Sequence, residues 1–275
     1  MAAAEIVSGA RVYDYYLGGT HNLEIDRAFV RKVQSFIPRV GDYVKENRAA
    51  LGRVVKTAYD MGFRQFVDIG SGIPAIGNVH DVLDRHVPAN RVPDARVVYI
   101  DNEVAAVTHA QEVLASGGDP TRHRALNADL LRPEELWSQV VATGILDMEA
   151  PICLIAFAVL HFIKDDRDPD GAMGWYRDRL PAKSMLALST MTNEAPESPA
   201  EAESLRRLVS AYEGTTNPGQ LRTTAEFSRF FGDFDLISPG LCYAPSWRPD
   251  SSGLFDVPSE SRFLVGVGLK GAGAG

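Results

Sequence analysis

The stretch Phe66-Val67-Asp68-Ile69-Gly70-Ser71-Gly72-Ile73-Pro74 decides the reading of this chain. An apolar run opening at Gln65 reads as a short strand. It breaks at two glycines and leads into helical spacing from Ala75 to Val87. Glycines at such a turn let a ligand approach the backbone, and a helix start offers free N–H groups. Asp68 adds a carboxylate at the strand end, two residues before the first glycine.

Outward from this stretch the same alternation recurs. Val44, Leu51, Val54, Val55 and Ala58 mark a preceding helix, with Asp42 as its N-cap and Gly62 as its stop. Arg96 to Ile100 is a second strand ending in Asp101, followed by a helix from Val104 to Leu114. A third strand runs from His123 to Ala128, and Pro133 opens a helix to about Val141. Pro151 to Phe157 is apolar enough to be a central strand, covered on both faces. A helix from Asp168 to Leu180 and a strand from Ser184 to Ser189 complete five alternations. Such alternation predicts an α/β fold, a doubly wound parallel sheet with helices on both faces. Leu241 to Trp247 and Arg262 to Val267 read as an antiparallel pair at the sheet edge. Residues 193–219 are polar and broken by Pro196, Pro199 and Pro218, which suits a substrate lid, and residues 271–275 read as a flexible tail.

The chain has 275 residues, 28 Lys+Arg against 36 Asp+Glu, and a formal charge of −8. That balance argues against a nucleic-acid partner, which needs a basic face. Cys153 and Cys242 are too few for a disulfide scaffold or a structural zinc site, and no metal is expected. The N-terminus lacks a signal-peptide pattern, and the longest apolar run, Ile152 to Ile163, is too short for a membrane span. A cytoplasmic protein is expected, with a homodimer compatible.

Three strand ends carry the chemistry: Asp68, Asp101, and Asn127-Ala128-Asp129. Gly70, Gly72 and Ala75 satisfy the dinucleotide pattern, so a nicotinamide cofactor is one reading. Asp68, however, would repel a pyrophosphate and suits a ligand bearing an ammonium. Asp101 could accept two ribose hydroxyls, and an acid or amide after the third strand could read an adenine amino group. Crowded carboxylates favour the cationic sulfonium of S-adenosylmethionine. Each residue also has a structural alternative. Asp68 could cap the next turn, Asp101 could cap a helix with Asn102, and Asp129 could be a turn residue before Pro133.

Other motifs add a resemblance. They are Ala10-Arg11-Val12-Tyr13-Asp14-Tyr15-Tyr16-Leu17-Gly18-Gly19-Thr20-His21-Asn22 with Asp26-Arg27, then Glu46-Asn47-Arg48, Gly77-Asn78-Val79-His80, Val98 to Asn102, Pro239-Gly240 and Trp247-Arg248-Pro249-Asp250. With Phe66 to Pro74 they make the chain resemble an actinobacterial S-adenosylmethionine-dependent methyltransferase family, the SAM-dependent methyltransferase 19-like family, over nearly its whole length. The resemblance implies a class I methyltransferase, Rossmann-like core over 63–270, with a mostly parallel seven-stranded sheet and an antiparallel C-terminal edge. Residues 1–62 would form a helical cap. It implies Asp68, Gly70, Ser71 and Gly72 at the methionine end, Asp101 and Asn102 at the ribose, and Asp129 and Leu130 at the adenine. Phe157 and Ala158 would line the floor. Tyr13 and Gly19 would lie in a segment folded over the crevice, unless the tyrosines only pack the first helix and Gly18-Gly19 is a plain turn. Arg48 would meet the cofactor carboxylate or an acid elsewhere. Pro74 stands where such loops usually place a third glycine.

Methyl transfer needs alignment and exclusion of water more than covalent help. His161, just past the fourth strand, is the candidate general base, with packing as its alternative. His80 and His109 read as helix-surface residues. Phe157 to His161 carries no Asn/Asp-Pro-Pro-aromatic motif, which disfavours a nucleobase and leaves a small hydroxylated or aminated acceptor. Two other functions stay open: S-adenosylmethionine binding without turnover, and NAD(P)-dependent oxidoreduction.

Overall fold

A computed structural model describes residues 6–74, 77–88, 94–194, 196, 198–250 and 253–271. Ala75 and the tail beyond residue 271 lie outside the described residues. Three helices, α1 (Gly9–Tyr16), α2 (Glu24–Gln34) and α3 (Val40–Asp60), precede the first strand. Then β1 (Gln65–Ile69), α4 (Val79–His86), β2 (Arg96–Asp101), α5 (Val104–Gly117), β3 (His123–Asn127), α6 (Pro133–Ala142), β4 (Cys153–Phe157), α7 (Pro169–Arg179) and β5 (Met185–Met191) alternate as expected. The chain continues through α8 (Pro199–Tyr212), α9 (Thr224–Ser228), β6 (Asp235–Leu236), β7 (Cys242–Tyr243) and β8 (Phe263–Leu269).

The sheet runs β3-β2-β1-β4-β5-β8-β6, with β7 also paired to β8, so among the described residues it has eight strands rather than seven. Both β6 and β7 are two-residue pieces. Strands β1 to β5 are parallel. β8 is antiparallel to β5 over seven paired positions. It is therefore an interior strand, and β6 and β7 share its outer edge. Leu241 to Trp247 do supply the expected antiparallel partner, but only Cys242 and Tyr243 pair.

Alternation along each strand divides the core into two layers. Phe66, Val97, Tyr99, Ile155 and Met185 face α1 to α5 and α8. Val67, Val98, Leu154, Ala156 and Leu186 face α6, α7 and α9. β4 is buried on both faces because β1 and β5 flank it and helices cover it above and below. Strand order reverses between β1 and β4, so the crevice at their carboxyl ends is where such sheets bind ligands.

Two helix boundaries differ from the sequence reading. α3 begins at Val40 with Arg39 as its N-cap residue, leaving Asp42 in the first turn. α4 is described from Val79, whereas the sequence reading began the helix at Ala75, outside the described residues. Gly62 ends α3 as expected, at φ +99°.

Buried ion pairs fasten the terminal segments to the core. Asp26, fully buried, accepts hydrogen bonds from Ser8 N (3.1 Å), Leu23 N (2.9 Å) and Arg11 Nε (2.6 Å). Arg53 on α3 donates to Trp247 O (2.9 Å) and Ala244 O (2.7 Å) and pairs with buried Glu46. Glu46 in turn accepts from Leu254 N at 3.1 Å. Removing one partner of a buried pair strands the other. Asp26→Ala is expected to lower stability by about 3 kcal/mol in urea unfolding. A loss under about 0.5 kcal/mol would mean that α1 docks without this carboxylate.

Candidate active site

Loops leaving the carboxyl ends of β1, β2, β3 and β4 surround a cleft with about 1130 Å³ of empty space. The glycine turn lines one side of it. Gly70 and Gly72 stand at φ +71° and +66°, and a Cβ on Gly70 would collide with Val159. Ile100 O accepts hydrogen bonds from Gly70 N (2.7 Å) and Ser71 N (3.0 Å). Asp101 extends the same bridge, accepting from Gly72 N at 2.8 Å through one oxygen and from Glu103 N at 2.9 Å through the other. It is not a helix cap, since the N-cap residue of α5 is Glu103.

Asp68 and Asp101 are both buried, on adjacent strands. Desolvation pushes the Asp68 carboxyl up to about 7, with the Asp101 charge adding to it and Arg48 opposing it. Burial likewise raises Asp101 to about 6 against its backbone hydrogen bonds. Asp68 is 6% exposed, and its carboxylate makes no hydrogen bond among the described residues. Arg48, from α3, lines the same cleft beside the Tyr13 ring, its guanidinium 5.3 Å from the ring centroid. Its Nε is buried with no hydrogen-bond partner. An unpaired carboxylate and an unpaired guanidinium therefore share one cavity.

The cleft is roofed by α1 and by residues 216–218. Gly9 N donates to Asn217 Oδ1 at 2.8 Å, Thr216 N donates to Val7 O at 3.0 Å, and Ser8 Oγ meets Glu103 just after β2. Asn47 Nδ2 donates to the Tyr13 hydroxyl at 3.0 Å, which fixes the ring over the opening.

Of the residues singled out in the sequence, Tyr13, Arg48, Asp68, Gly70, Ser71, Gly72, Asp101, Asn102, Asp129, Leu130, Phe157 and Ala158 all line this cleft. Gly19 does not. Its role is packing: a Cβ there would collide with the Asp14 carboxylate, which accepts from His21 N and from Asn22 Nδ2, both at 2.9 Å. Asp129 combines both of its readings, capping Leu131 N at 3.0 Å while lining the cleft. Asn127 turns away to Asp101 O at 3.0 Å.

His161 is a correction of substance. It is 6% exposed and lines a second, neighbouring cavity rather than this cleft. Its Nδ1 accepts a hydrogen bond from Met191 N at 3.2 Å, which puts the ring proton on Nε2. Burial lowers its pKa to about 3, so at neutral pH it is a hydrogen-bond donor and not a base. His80 is likewise buried, not on the surface, with Nδ1 2.6 Å from the Tyr99 hydroxyl. Sequence reasoning also passed over Asn47, Phe162, Arg167 and Asn217. Asn47 stood inside a quoted motif, whereas the other three reach the cleft only by folding.

Residues 3–271 match the family model described as S-adenosyl methyltransferase. The chain belongs to that family. A crystal structure of a candidate methyltransferase from Thermobifida fusca is 32% identical, with a TM-score of 0.83 over 97% of this chain and 96% of that one. A duf574 family protein from Streptomyces avermitilis is 30% identical, with a TM-score of 0.86 over 97% and 98%. An O-methyltransferase family protein from Burkholderia thailandensis, 15% identical with a TM-score of 0.52 over 93% and 75%, shares the fold. No curated protein matches the sequence. Among the described residues, no helix is long and apolar enough to cross a membrane.

The family's cofactor is S-adenosylmethionine, and the methyltransferase cleft fits it. The amino-acid end of that molecule carries one ammonium and one carboxylate. Asp68 and Arg48 are the two unpaired groups of matching charge. The raised pKa of Asp68 has a measurable sign. A carboxyl protonated more readily in the folded state costs stability as pH climbs from 3.8 to about 7. Asp68→Asn is therefore expected to be more stable than the parent chain. Its advantage in Tm grows across that window and is constant above it. In the parent chain, affinity for S-adenosylhomocysteine, whose ammonium favours ionised Asp68, rises over the same window. A flat affinity profile would separate Asp68 from the ligand.

Proposed function

We propose that the methyltransferase transfers a methyl group from S-adenosylmethionine to a small-molecule acceptor. The observation that carries the cofactor half of this reading is the pair of unpaired charges, Asp68 and Arg48, at the crossover between β1 and β4. Asp68 receives the ammonium and Arg48 the carboxylate. Asp101 keeps its oxygens at the ribose hydroxyls because Gly72 N and Glu103 N hold the carboxylate in place. Asp129 and Leu130, where the chain leaves β3, flank the adenine, and Phe157 and Ala158 form the floor. When bound, the cofactor supplies a methyl group on a cationic sulfonium.

The chain's part is to orient and to exclude water. Residues 1–62 act as a cap, since α1 and Tyr13 cover the cleft and are tied to Asn217 and Glu103. Residues 63–270 act as the core, with 193–219 as a lid whose end, 216–218, lines the cleft. Ala158 stands at φ +57°, a conformation that costs an L-residue about 1 kcal/mol. Such strain is kept where the backbone must turn under a ligand. The acidic character of the cleft, with Asp68, Asp101, Glu103 and Asp129 around it, supports a cationic cofactor over a dinucleotide.

Calorimetry distinguishes the readings. The parent chain is expected to bind S-adenosylhomocysteine and to ignore NADH. Asp101→Ala is expected to lower that affinity at least about 30-fold, or ~2 kcal/mol, with the fold retained by circular dichroism. Unchanged affinity in this variant would remove Asp101 from the site, and NADH binding in its place would overturn the cofactor assignment.

A further inference from the structure

The methyltransferase contains a second cavity that shares a wall with the cofactor cleft. Gly9, Tyr13, Ala158 and Phe162 line both. Beside that wall lies about 620 Å³ of space between atoms, part of it open to solvent. It is bordered by α1, the start of α3, the turn after β4, the end of β5 and α8.

Its chemistry is unlike that of the cleft. None of its described lining residues is Asp, Glu, Lys or Arg. Aromatic rings form much of the wall: Phe162 and Tyr212 lie 5.4 Å apart, and His161 and Phe263 lie 5.8 Å apart. The polar groups facing this space are neutral. Burial holds the Tyr16 and Tyr212 phenols far above their ordinary pKa. Tyr16 is 6% exposed, and its hydroxyl makes no hydrogen bond among the described residues. With Nδ1 of His161 committed to Met191 N, the Nε2–H is left as a donor.

From this we infer that the second cavity binds the methyl acceptor, and that the acceptor is an uncharged aromatic molecule carrying a hydrogen-bonding heteroatom. The inference rests on the methyl-transfer reading and adds the acceptor's place and class. A charged acceptor would shed its hydration with no opposite charge to meet it. A neutral ring stacks on Phe162 and Tyr212, and its heteroatom satisfies the Tyr16 hydroxyl or the His161 N–H. His161 is then a positioning group that holds the acceptor through its Nε2–H. The shared wall at Tyr13 and Ala158 brings acceptor and cofactor together.

The test uses two probes of one shape, 2-naphthol and the anion 2-naphthoate. Each is titrated by calorimetry into the full chain, with and without saturating S-adenosylhomocysteine. The expected result is binding of 2-naphthol and at least about tenfold weaker binding of 2-naphthoate. Val209→Trp, which projects an indole into the cavity from α8, is expected to weaken 2-naphthol at least about tenfold while S-adenosylhomocysteine affinity stays within about twofold. Tyr16→Phe changes one hydroxyl and little shape, and is expected to weaken 2-naphthol severalfold. Equal binding of the two probes, no binding of either, or full 2-naphthol affinity in both variants would overturn the inference. Failure of S-adenosylhomocysteine to bind the parent chain is a separate outcome. It defeats the cofactor assignment, while the naphthol titrations without it still decide the cavity.

Discussion

The site depends on one backbone register. Ile69 of β1 pairs with Ile100 of β2, so both strands end at the same level. The chain leaving β1 therefore turns directly over the end of β2. Ile100 O captures Gly70 N and Ser71 N, and the Asp101 carboxylate captures Gly72 N. That junction forces two buried carboxylates close together. Their ionisation is costly until a cation arrives, as the raised pKa values of Asp68 and Asp101 record. Arg48 lines the same cleft and its charge opposes the rise at Asp68, but it hydrogen-bonds to neither carboxylate. The result is a space lined by two groups of opposite charge that hydrogen-bond to no described residue.

The rest of the molecule keeps that space from collapsing or flooding. β4 carries the opposite wall and ends in the strained turn at Ala158. Its two neighbours and two covering layers make it hard to move. α1 is held at several points, through Asp26 with Arg11 and Ser8, through Asn47 with Tyr13, and through Gly9 with Asn217. The C-terminal segment is held through Arg53. These polar contacts are buried at Asp26–Ser8 and at Arg53 and part-buried elsewhere, and they join segments apart in sequence. Between α1, α8 and the turn after β4 lies the second cavity, which borders the acidic cleft at Gly9, Tyr13, Ala158 and Phe162 and has no charged side chain among its described lining residues.

Much of this was legible in residue order. Apolar runs ending in Asp or Gly, spaced by helical segments, are a local signal, and β1 to β5 and α5 to α7 fell where that signal put them. Asp68, Asp101 and the glycines were legible because carboxyl-end position follows from strand assignment alone. Gly19 misled because a glycine required by side-chain packing reads the same as one required by a ligand. His161 misled for a related reason. Its place after β4 is a matter of sequence, while the Met191 N–H that sets its tautomer comes from a neighbouring strand. The run from Leu241 to Trp247 was legible as a strand, but only Cys242 and Tyr243 of it pair with β8.

By itself the sequence determined the kind of sheet, the order of its parallel strands and helices, and the clustering of acids at one edge, because each depends on short-range pattern and strand direction. The tertiary structure decided which of those acids are left unpaired, that Arg48 reaches them, and that β8 inserts beside β5. It also decided that an apolar chamber stands behind Tyr13 and Ala158. Those outcomes depend on burial and on hydrogen-bond partners drawn from distant segments. No local spacing encodes which donor a carboxylate will meet once the chain is packed.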